Sequence, residues 1–267
     1  MCRFVVFWGQ KPVRLAHWLI EAENSLLSQS KSDCSNRPNP DGWGLAFRKG
    51  EKIVVEKNIV PAFEDNQFVE KSRKLKTDLL FAHIRRRSQG PVLIENTHPF
   101  VHKNWMFMHN GNIPHLPRLK VQMSKSLPEK DAIQTHGTTD SEFLFRYFHY
   151  WFQRGNQCDV YCALNIINDI IRRIIEYTPP QDQKMLALNF MVTNGEYLLG
   201  FRRNRSLYYA HLENGVMVSS ERLDQQCQWN EIPDNHYVVG AKPGQIKLVA
   251  YDIELKKPDI FAAEKMV

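Results

Sequence analysis

Apolar and polar residues follow each other in a pattern that predicts strands near both ends of the chain and helices between them. The segment from Cys2 to Trp8 is rich in Phe and Val, which predicts a buried strand. Apolar residues at helical spacing predict helices from Phe143 to Phe152 and from Asp159 to Tyr177. After Met185, two Asn-Gly pairs are hairpin signals and predict a return to strands. This order indicates an α+β domain with a mainly antiparallel sheet.

Shorter patterns divide the rest of the chain. Helical spacing predicts helices from Leu15 to Leu27, followed by a Ser-rich loop, and from Phe63 to Leu75. Thr139 and Glu142 occupy the positions of a capping box, which predicts a helix start there. The polar segment 116–136 is predicted to be the most mobile part of the chain. Further strands are predicted at Trp43–Phe47, Lys52–Val55, Leu79–Ile84, Trp105–Met108 and Gln245–Asp252. No repeat or linker divides these elements, so residues 1–267 are expected to form a single domain.

Composition excludes several classes of protein. With 43% hydrophobic residues the chain can build a full core, so extensive disorder is not expected. The net charge of +6 comes from scattered Lys and Arg outside any nucleic-acid motif, so nucleic-acid binding is not expected. No apolar run reaches the ~18 residues of a membrane helix, and none resembles a signal peptide. The five cysteines include no Cys-x-x-Cys pair, which favours reduced thiols, a cytoplasmic location and no zinc site.

Cys2 follows the initiator Met and is one aminopeptidase cut from becoming the N-terminal residue. Its thiol and its α-amine would then share one carbon atom. An unperturbed α-amine titrates near ~7.7–8.0, so it can take the thiol proton, through a water molecule, at neutral pH. Nucleophile and base would come from the same residue. The alternative is that Cys2 is a small buried apolar side chain.

Four short motifs follow Cys2 in order. They are His83-Ile84-Arg85 with Ser88-Gln89-Gly90, Asn96-Thr97-His98-Pro99-Phe100, His109-Asn110-Gly111-Asn112-Ile113, and Thr138-Thr139-Asp140-Ser141-Glu142. As a set they resemble the class II (N-terminal nucleophile type) glutamine amidotransferases, in particular the stand-alone YafJ-like branch related to γ-glutamyl amidohydrolases. Asp41-Gly42-Trp43-Gly44 and Ser220-Glu221-Arg222-Leu223-Asp224 are also typical of that branch.

The resemblance implies a fold and a reaction. The fold would be a four-layer αββα sandwich, with two antiparallel sheets between helix layers, as in N-terminal nucleophile hydrolases. Cys2 would cleave the γ-glutamyl amide of glutamine or another γ-glutamyl compound through a γ-glutamyl thioester, which water resolves. That mechanism requires no metal and no organic cofactor.

The resemblance also implies which residues bind the glutamyl end of the substrate. Arg85 would grip the α-carboxylate with its planar fork, and Ser88 and Gln89 would line the same pocket. Asp140 would accept the α-ammonium group. Without the resemblance, Arg85 would be read as a solvated or ion-paired surface residue, and Asp140 could equally be a helix-capping acid.

Asn110 and Gly111 would form the oxyanion hole through the Asn side-chain amide and the Gly backbone N–H. An Asn-Gly pair alone usually marks a turn. His98 and Asn96 are expected to brace the pocket, and Cys158 and Cys162 to pack in the core.

Arg86-Arg87-Ser88 stands where larger members of the family have Trp-Ala-Thr. If Arg86 and Arg87 face the pocket rim, they favour a substrate with a carboxylate on its amine side. No synthase sequence is recognisable in the chain. Two alternatives therefore stay open: a glutaminase subunit that delivers ammonia to a separate synthase, and a catalytically silent binding protein.

Overall fold

The computed structural model describes residues 2–88, 90–125, 127, 133–154 and 158–251. Its strands, in chain order, are β1 (Arg3–Arg14), β2 (Trp43–Lys49), β3 (Lys52–Asn58), β4 (Lys76–Ile84), β5 (Phe100–His102), β6 (Trp105–Asn112), β7 (Ala187–Thr193), β8 (Leu198–Arg202), β9 (Tyr208–Leu212), β10 (Gly215–Ser219), β11 (Asn230–Glu231), β12 (His236–Lys242) and β13 (Gln245–Ala250). Its α-helices are α1 (Leu26–Lys31), α2 (Asn66–Lys74), α3 (Leu116–Ser124), α4 (Asp140–Phe152) and α5 (Val160–Tyr177). A π-helical turn spans His17–Glu21, and 3₁₀ turns span Ile94–Asn96 and Pro180–Asp182.

The strands form two antiparallel sheets. The first has the order β11-β9-β10-β1-β4-β2-β3, and the second has the order β13-β12-β8-β7-β6-β5. In the first sheet β1 lies between β10 and β4, with Arg3 opposite Ile84. That register brings the N-terminus of β1 next to the residues that follow β4.

Alternation along β1 explains why the sheets stack. Phe4, Val6 and Trp8 point into the apolar layer between the two sheets, where they join Met106 and Met108 of β6. The neighbouring Val5 and Phe7 point the other way, into the cluster formed with α1 and α2. Because both faces of β1 are buried from Phe4 to Trp8, that part of the strand is apolar throughout, whereas its C-terminal part is exposed and includes polar residues.

A third cluster covers the outer face of the second sheet and is built from α3, α4 and α5. Phe107 of β6 stacks on Phe145 of α4 with ring centroids 5.4 Å apart. The layers therefore run helix, sheet, sheet, helix, and the predicted four-layer αββα fold is confirmed. Whether residues 1–267 form a single domain stays a prediction.

Two predictions in the segment from Leu15 to Leu27 and beyond are wrong. Only the turn His17–Glu21 is helical within the first part, and the chain leaves it in extended conformation at Ala22. The Ser-rich stretch forms α1 and not a loop, because its serine side chains form hydrogen bonds with backbone groups of the helix. Ser25 caps the helix by accepting a hydrogen bond from the Ser28 backbone at 3.2 Å, and Ser30 donates to the Leu27 carbonyl at 2.6 Å.

The segment 116–136, expected to be polar and mobile, begins with the helix α3, which was not predicted. Its buried residues Leu116, Leu119 and Met123 recur at helical spacing but are separated by polar residues. They pack in the same cluster as α5, so tertiary burial stabilises a helix that its weak local pattern did not reveal. Residues 126 and 128–132 of this segment lie outside the described residues.

Candidate active site

Cys2 precedes β1 and lines a cavity of about 330 Å³. Its Sγ lies 3.2 Å from both the backbone nitrogen and the carbonyl oxygen of Arg86, so it can accept from one and donate to the other. Burial raises the pKa of the Cys2 thiol, while the Arg86 backbone and the charges of Arg85 and Arg3 act in the opposite direction. The thiol therefore needs a base to become nucleophilic.

Asn110 and Gly111 reach the same cavity from the second sheet. Asn110 is buried and follows Met106 and Met108 on the face of β6 that points toward the first sheet. A Cβ atom on Gly111 would lie 2.0 Å from Nε2 of His109 and 2.1 Å from the carbonyl oxygen of Ala187. Only glycine fits at position 111 with this backbone course. The Asn110-Gly111 pair lies within β6 and is not a simple turn.

Arg85 is buried, with 3% of its surface exposed, so it is not a surface residue. Its backbone N–H donates to the Gly42 carbonyl at 2.8 Å, and its own carbonyl accepts from the Asp41 backbone at 3.0 Å. Its Nη1 donates to the Pro91 carbonyl at 3.1 Å. Burial lowers the pKa of this guanidinium, whereas the charges of Cys2 and Asp41 raise it.

Ser88 lines the cavity beside Cys2 and is exposed at its rim. Gln89, the other residue predicted for this pocket, lies outside the described residues. Arg87 is exposed and is absent from the described cavity wall, and its backbone donates to Asp41 at 2.7 Å. Of the two arginines predicted at the rim, the structure therefore places Arg86 in the wall.

Asp140 is the first residue of α4 and is buried. Its Oδ2 accepts from the Ile113 backbone at 2.9 Å, and its Oδ1 accepts from the backbone and hydroxyl of Ser141 at 2.8 and 3.1 Å. The carboxylate thus joins the start of α4 to the residue that follows β6. Arg85 and Asp140 are both absent from the described wall of the cavity.

A network of backbone contacts fixes the approach to α4. Thr139 accepts from the Glu142 backbone at 3.1 Å, which confirms half of the predicted capping box. The Glu142 carboxylate accepts instead from the backbones of His136 and Gly137, at 2.9 and 2.7 Å. Asn96 accepts from the Thr138 backbone at 2.8 Å and donates to the Pro91 carbonyl at 3.1 Å, the same oxygen that Arg85 contacts. Asn96 therefore connects the segment before α4 to the carbonyl that Arg85 contacts, and its bracing of the pocket stays a prediction.

Two buried histidines lie against each other between β4 and β5. The rings of His83 and His98 have centroids 4.4 Å apart, and none of their nitrogens has a hydrogen-bond partner among the described residues. Burial lowers both pKa values well below the usual range, so both rings are neutral. Burial likewise lowers the pKa of His109, while the charge of Asp140 acts in the opposite direction.

The described residues contain no group of three His, Cys, Asp or Glu side chains arranged to hold a metal ion. The five cysteines are free thiols. No helix in the described ranges is both long and apolar enough to cross a membrane.

Residues 24–213 match the family model described as glutamine amidotransferases class-II. The chain belongs to the class II glutamine amidotransferases. The predicted family is thereby confirmed. The matched region begins after Cys2 and does not include that cysteine.

This amidotransferase is 33% identical over 159 residues to the probable glutamine amidotransferase DUG3 of Saccharomyces cerevisiae, a match covering 55% of this chain and 44% of the yeast protein. The chain thus matches less than half of that relative's length. It is 27% identical over 243 residues to the γ-glutamyl-hercynylcysteine sulfoxide hydrolase of Mycolicibacterium smegmatis, covering 89% of this chain and 95% of that enzyme. A class II glutamine aminotransferase domain protein from Silicibacter pomeroyi shares the fold, with a TM-score of 0.65, 19% identity, and coverage of 94% of this chain and 100% of that one.

Sequence reasoning missed two features of this chain. Lys184, Met185 and Arg205 also line the cavity, and they carried no signal because they come from connections far along the chain. A buried ion cluster holds Arg3, whose guanidinium pairs with Glu221 and lies 3.0 Å from Asp33. The adjacency of Arg3 to Cys2 and the Ser220-Glu221 motif together could have indicated this cluster.

Proposed function

We propose that the protein hydrolyses a γ-glutamyl amide bond, with Cys2 as the nucleophile after removal of Met1. One observation carries this proposal: Cys2, directly before β1 of the first sheet, lines a single cavity with Asn110 and Gly111 of the second sheet. A nucleophile facing a pair of amide donors is the arrangement that acyl transfer requires.

The proposed reaction proceeds in two steps. The Cys2 thiol gives its proton to the α-amine, through water, and the thiolate attacks the side-chain carbonyl of the substrate. The Asn110 amide and the Gly111 N–H donate to the oxyanion that forms. The amine leaves with a proton, and water then hydrolyses the γ-glutamyl thioester to release glutamate and free Cys2.

Arg85 and Asp140 are proposed to hold the α-carboxylate and the α-ammonium of the glutamyl group, with Ser88 and Gln89 lining that part of the pocket. The buried guanidinium of Arg85 offers a fork for a carboxylate. The Asp140 oxygens already accept from Ile113 and Ser141, and an ionised carboxylate has further lone pairs for an ammonium group.

Hydrolysis is favoured over ammonia delivery by one comparison. The hydrolase from M. smegmatis matches this chain over nearly the full length of both proteins. The yeast relative, whose name describes an amidotransferase, matches over less than half of its own length. A glutaminase subunit that passes ammonia to a separate synthase is the second candidate, and a small-molecule substrate is common to both. A cytoplasmic location stays a prediction.

The test is intact-mass analysis of protein incubated with a diazo-ketone analogue of glutamine. We expect a mass that lacks Met1 and carries one adduct, and we expect Cys2→Ser to abolish both the adduct and the release of glutamate from γ-glutamyl amides. Cys34→Ser is the matched control, because Cys34 is an exposed free thiol that competes for non-specific labelling. Met1 retained in active protein, or labelling that survives in Cys2→Ser, would refute the proposal.

A further inference from the structure

The wall of the Cys2 cavity carries an unbalanced positive charge. Its described lining contains three cationic residues, Arg86, Lys184 and Arg205, and no acidic residue. None of the three lies within 4.0 Å of a described carboxylate. A concave site lined by charges of one sign concentrates ligands of the opposite sign. The cavity is therefore suited to an anion.

Arg205 is the most informative of the three. Burial lowers the pKa of its guanidinium, with the charge of Arg3 as the next cause, and its Nε is shut off from solvent without a partner among the described residues. Nη1 donates to the Asn204 carbonyl at 3.1 Å, a neutral acceptor. Arg205 is half-buried, and a partly desolvated guanidinium without a carboxylate is stabilised by a nearby anion. An anionic ligand would supply the missing counter-charge.

Two other half-buried arginines are paired with carboxylates, whereas Arg203 donates to the neutral oxygens of Asn235 and Gln183. Arg48 lies 2.8 Å from Asp78, and Arg202, three residues before Arg205, lies 2.7 Å from Glu231. The main chain of Arg205 is held in place, since its carbonyl accepts from Asn189 at 3.0 Å and from Arg202 at 2.7 Å. These two bonds anchor the main chain that carries the Arg205 side chain to the cavity wall.

The location of the cavity indicates which part of the substrate it receives. Of the residues proposed for the glutamyl end, Arg85 and Asp140 are absent from its described wall, whereas Ser88 lies in it together with Cys2, Asn110 and Gly111. Because Arg85 and Asp140 do not border this space beside the nucleophile, we assign it to the amine side of the substrate. At its rim, Lys184 is exposed next to Met185, an apolar side chain that is 51% exposed.

We propose that Arg86, Lys184 and Arg205 form a subsite for a carboxylate on the amine side of the substrate, so that the substrate class is γ-glutamyl peptides and γ-glutamyl amino acids. This inference rests on the proposed hydrolase function and deepens it. Met185 offers apolar contact to the side chain next to that carboxylate. Glutamine lacks any group that reaches this subsite.

The test compares γ-glutamylalanine with γ-glutamylalaninamide, which differ only in that carboxylate. Glutamate release should be at least about tenfold faster, in kcat/KM, for the free carboxylate, the size expected of one charge-assisted hydrogen bond. Arg205→Gln and Lys184→Gln should each shrink this ratio, and the double variant should bring it close to one. Arg118→Gln, an exposed cation on α3, is the control for net charge and should leave the ratio unchanged.

A second measurement separates this inference from the proposed function. Binding of the two compounds to the Cys2→Ser protein is measured directly by calorimetry. Tighter binding of γ-glutamylalanine that is lost in Cys2→Ser with Arg205→Gln supports the subsite even if the native protein hydrolyses neither compound. Hydrolysis of both at equal rates, or a preference that survives in the Lys184 and Arg205 double variant, would overturn the subsite and leave the hydrolase intact. An equal effect of the substitutions on both compounds would also overturn it and assign the cations to the glutamyl end.

Discussion

Arg3 and Glu221 form a buried ion pair directly behind the proposed nucleophile, through the Nε of Arg3 and a carboxylate oxygen of Glu221. The Arg3 Nη1 also donates to the carbonyl oxygen of Cys2 at 3.0 Å. The Glu221 carboxylate in turn accepts from the Cys34 backbone at 3.1 Å and from Asn24 at 3.2 Å. The residue that follows Cys2 is therefore anchored to two distant parts of the chain, which fixes the main chain that carries the thiol.

Glu221→Gln should lower the free energy of unfolding, by at most about 3–5 kcal/mol, because it removes one of the two carboxylates that neutralise the Arg3 charge in the interior. Urea unfolding measures this change. The rate at which the diazo-ketone labels Cys2 should also fall, since Arg3 holds the Cys2 carbonyl. Glu176→Gln is the matched control, because Glu176 pairs with Arg172 on the exposed side of α5. If both substitutions changed the free energy of unfolding equally, the buried pair would contribute no more to stability than the exposed pair.

The same cluster predicts how stability changes with pH. Burial raises the pKa values of Asp33 and Glu221, but the charge and hydrogen bonds of Arg3 and neighbouring backbone groups outweigh it and hold both below their usual values. Unfolded carboxyls titrate near ~3.9 for Asp and ~4.3 for Glu. The contribution of these groups to stability is therefore complete above that range and is lost as pH falls through the lower folded values. Urea unfolding at a series of pH values should show a steeper acid decline for the native protein than for Glu221→Gln, and parallel curves would contradict the assignment.

Asn110→Ala should reduce kcat for glutamate release by ~10²–10³ with little change in KM, the usual result of removing one oxyanion donor. Asn112→Ala is the comparison, because Asn112 lies two residues further on the same strand and also lines the cavity. Its effect on kcat should be much smaller. If Asn110→Ala mainly raised KM and preserved kcat, Asn110 would belong to substrate binding or to the turn.

Asp140→Asn should weaken the binding of glutamine more than that of glutaramate, which is glutamine without its α-amine. Inhibition constants of the two compounds against γ-glutamylalanine hydrolysis measure this difference. Asp159→Asn is the control for a purely structural role, because Asp159 caps α5 by accepting from the Tyr161 and Cys162 backbones at 3.1 and 2.8 Å. An equal loss of affinity for both compounds in Asp140→Asn would assign Asp140 to the helix start and to its contact with Ile113.

Several strands and helices, and the family, were predictable because they depend on patterns among residues that are close in sequence. The apolar run from Phe4 to Trp8 and the helical spacing from Asp159 to Tyr177 are local patterns, and the structure has β1 and α5 at these places. The order of the Cys2, Arg85, Asn110 and Asp140 motifs likewise indicated the family, which the match over residues 24–213 confirms.

The tertiary structure alone decided what surrounds the thiol. Arg3 meets Glu221 across 218 positions of sequence, and Arg205 joins the wall beside Cys2, because strand pairing brings β10 against β1 and the second sheet against the first. The sequence pattern also did not predict α3, because this helix is stabilised by burial of its three apolar residues in the cluster with α5 and not by local propensity. Local periods depend on residues a few positions apart, whereas the charge of a cavity depends on which distant segments the sheets bring together.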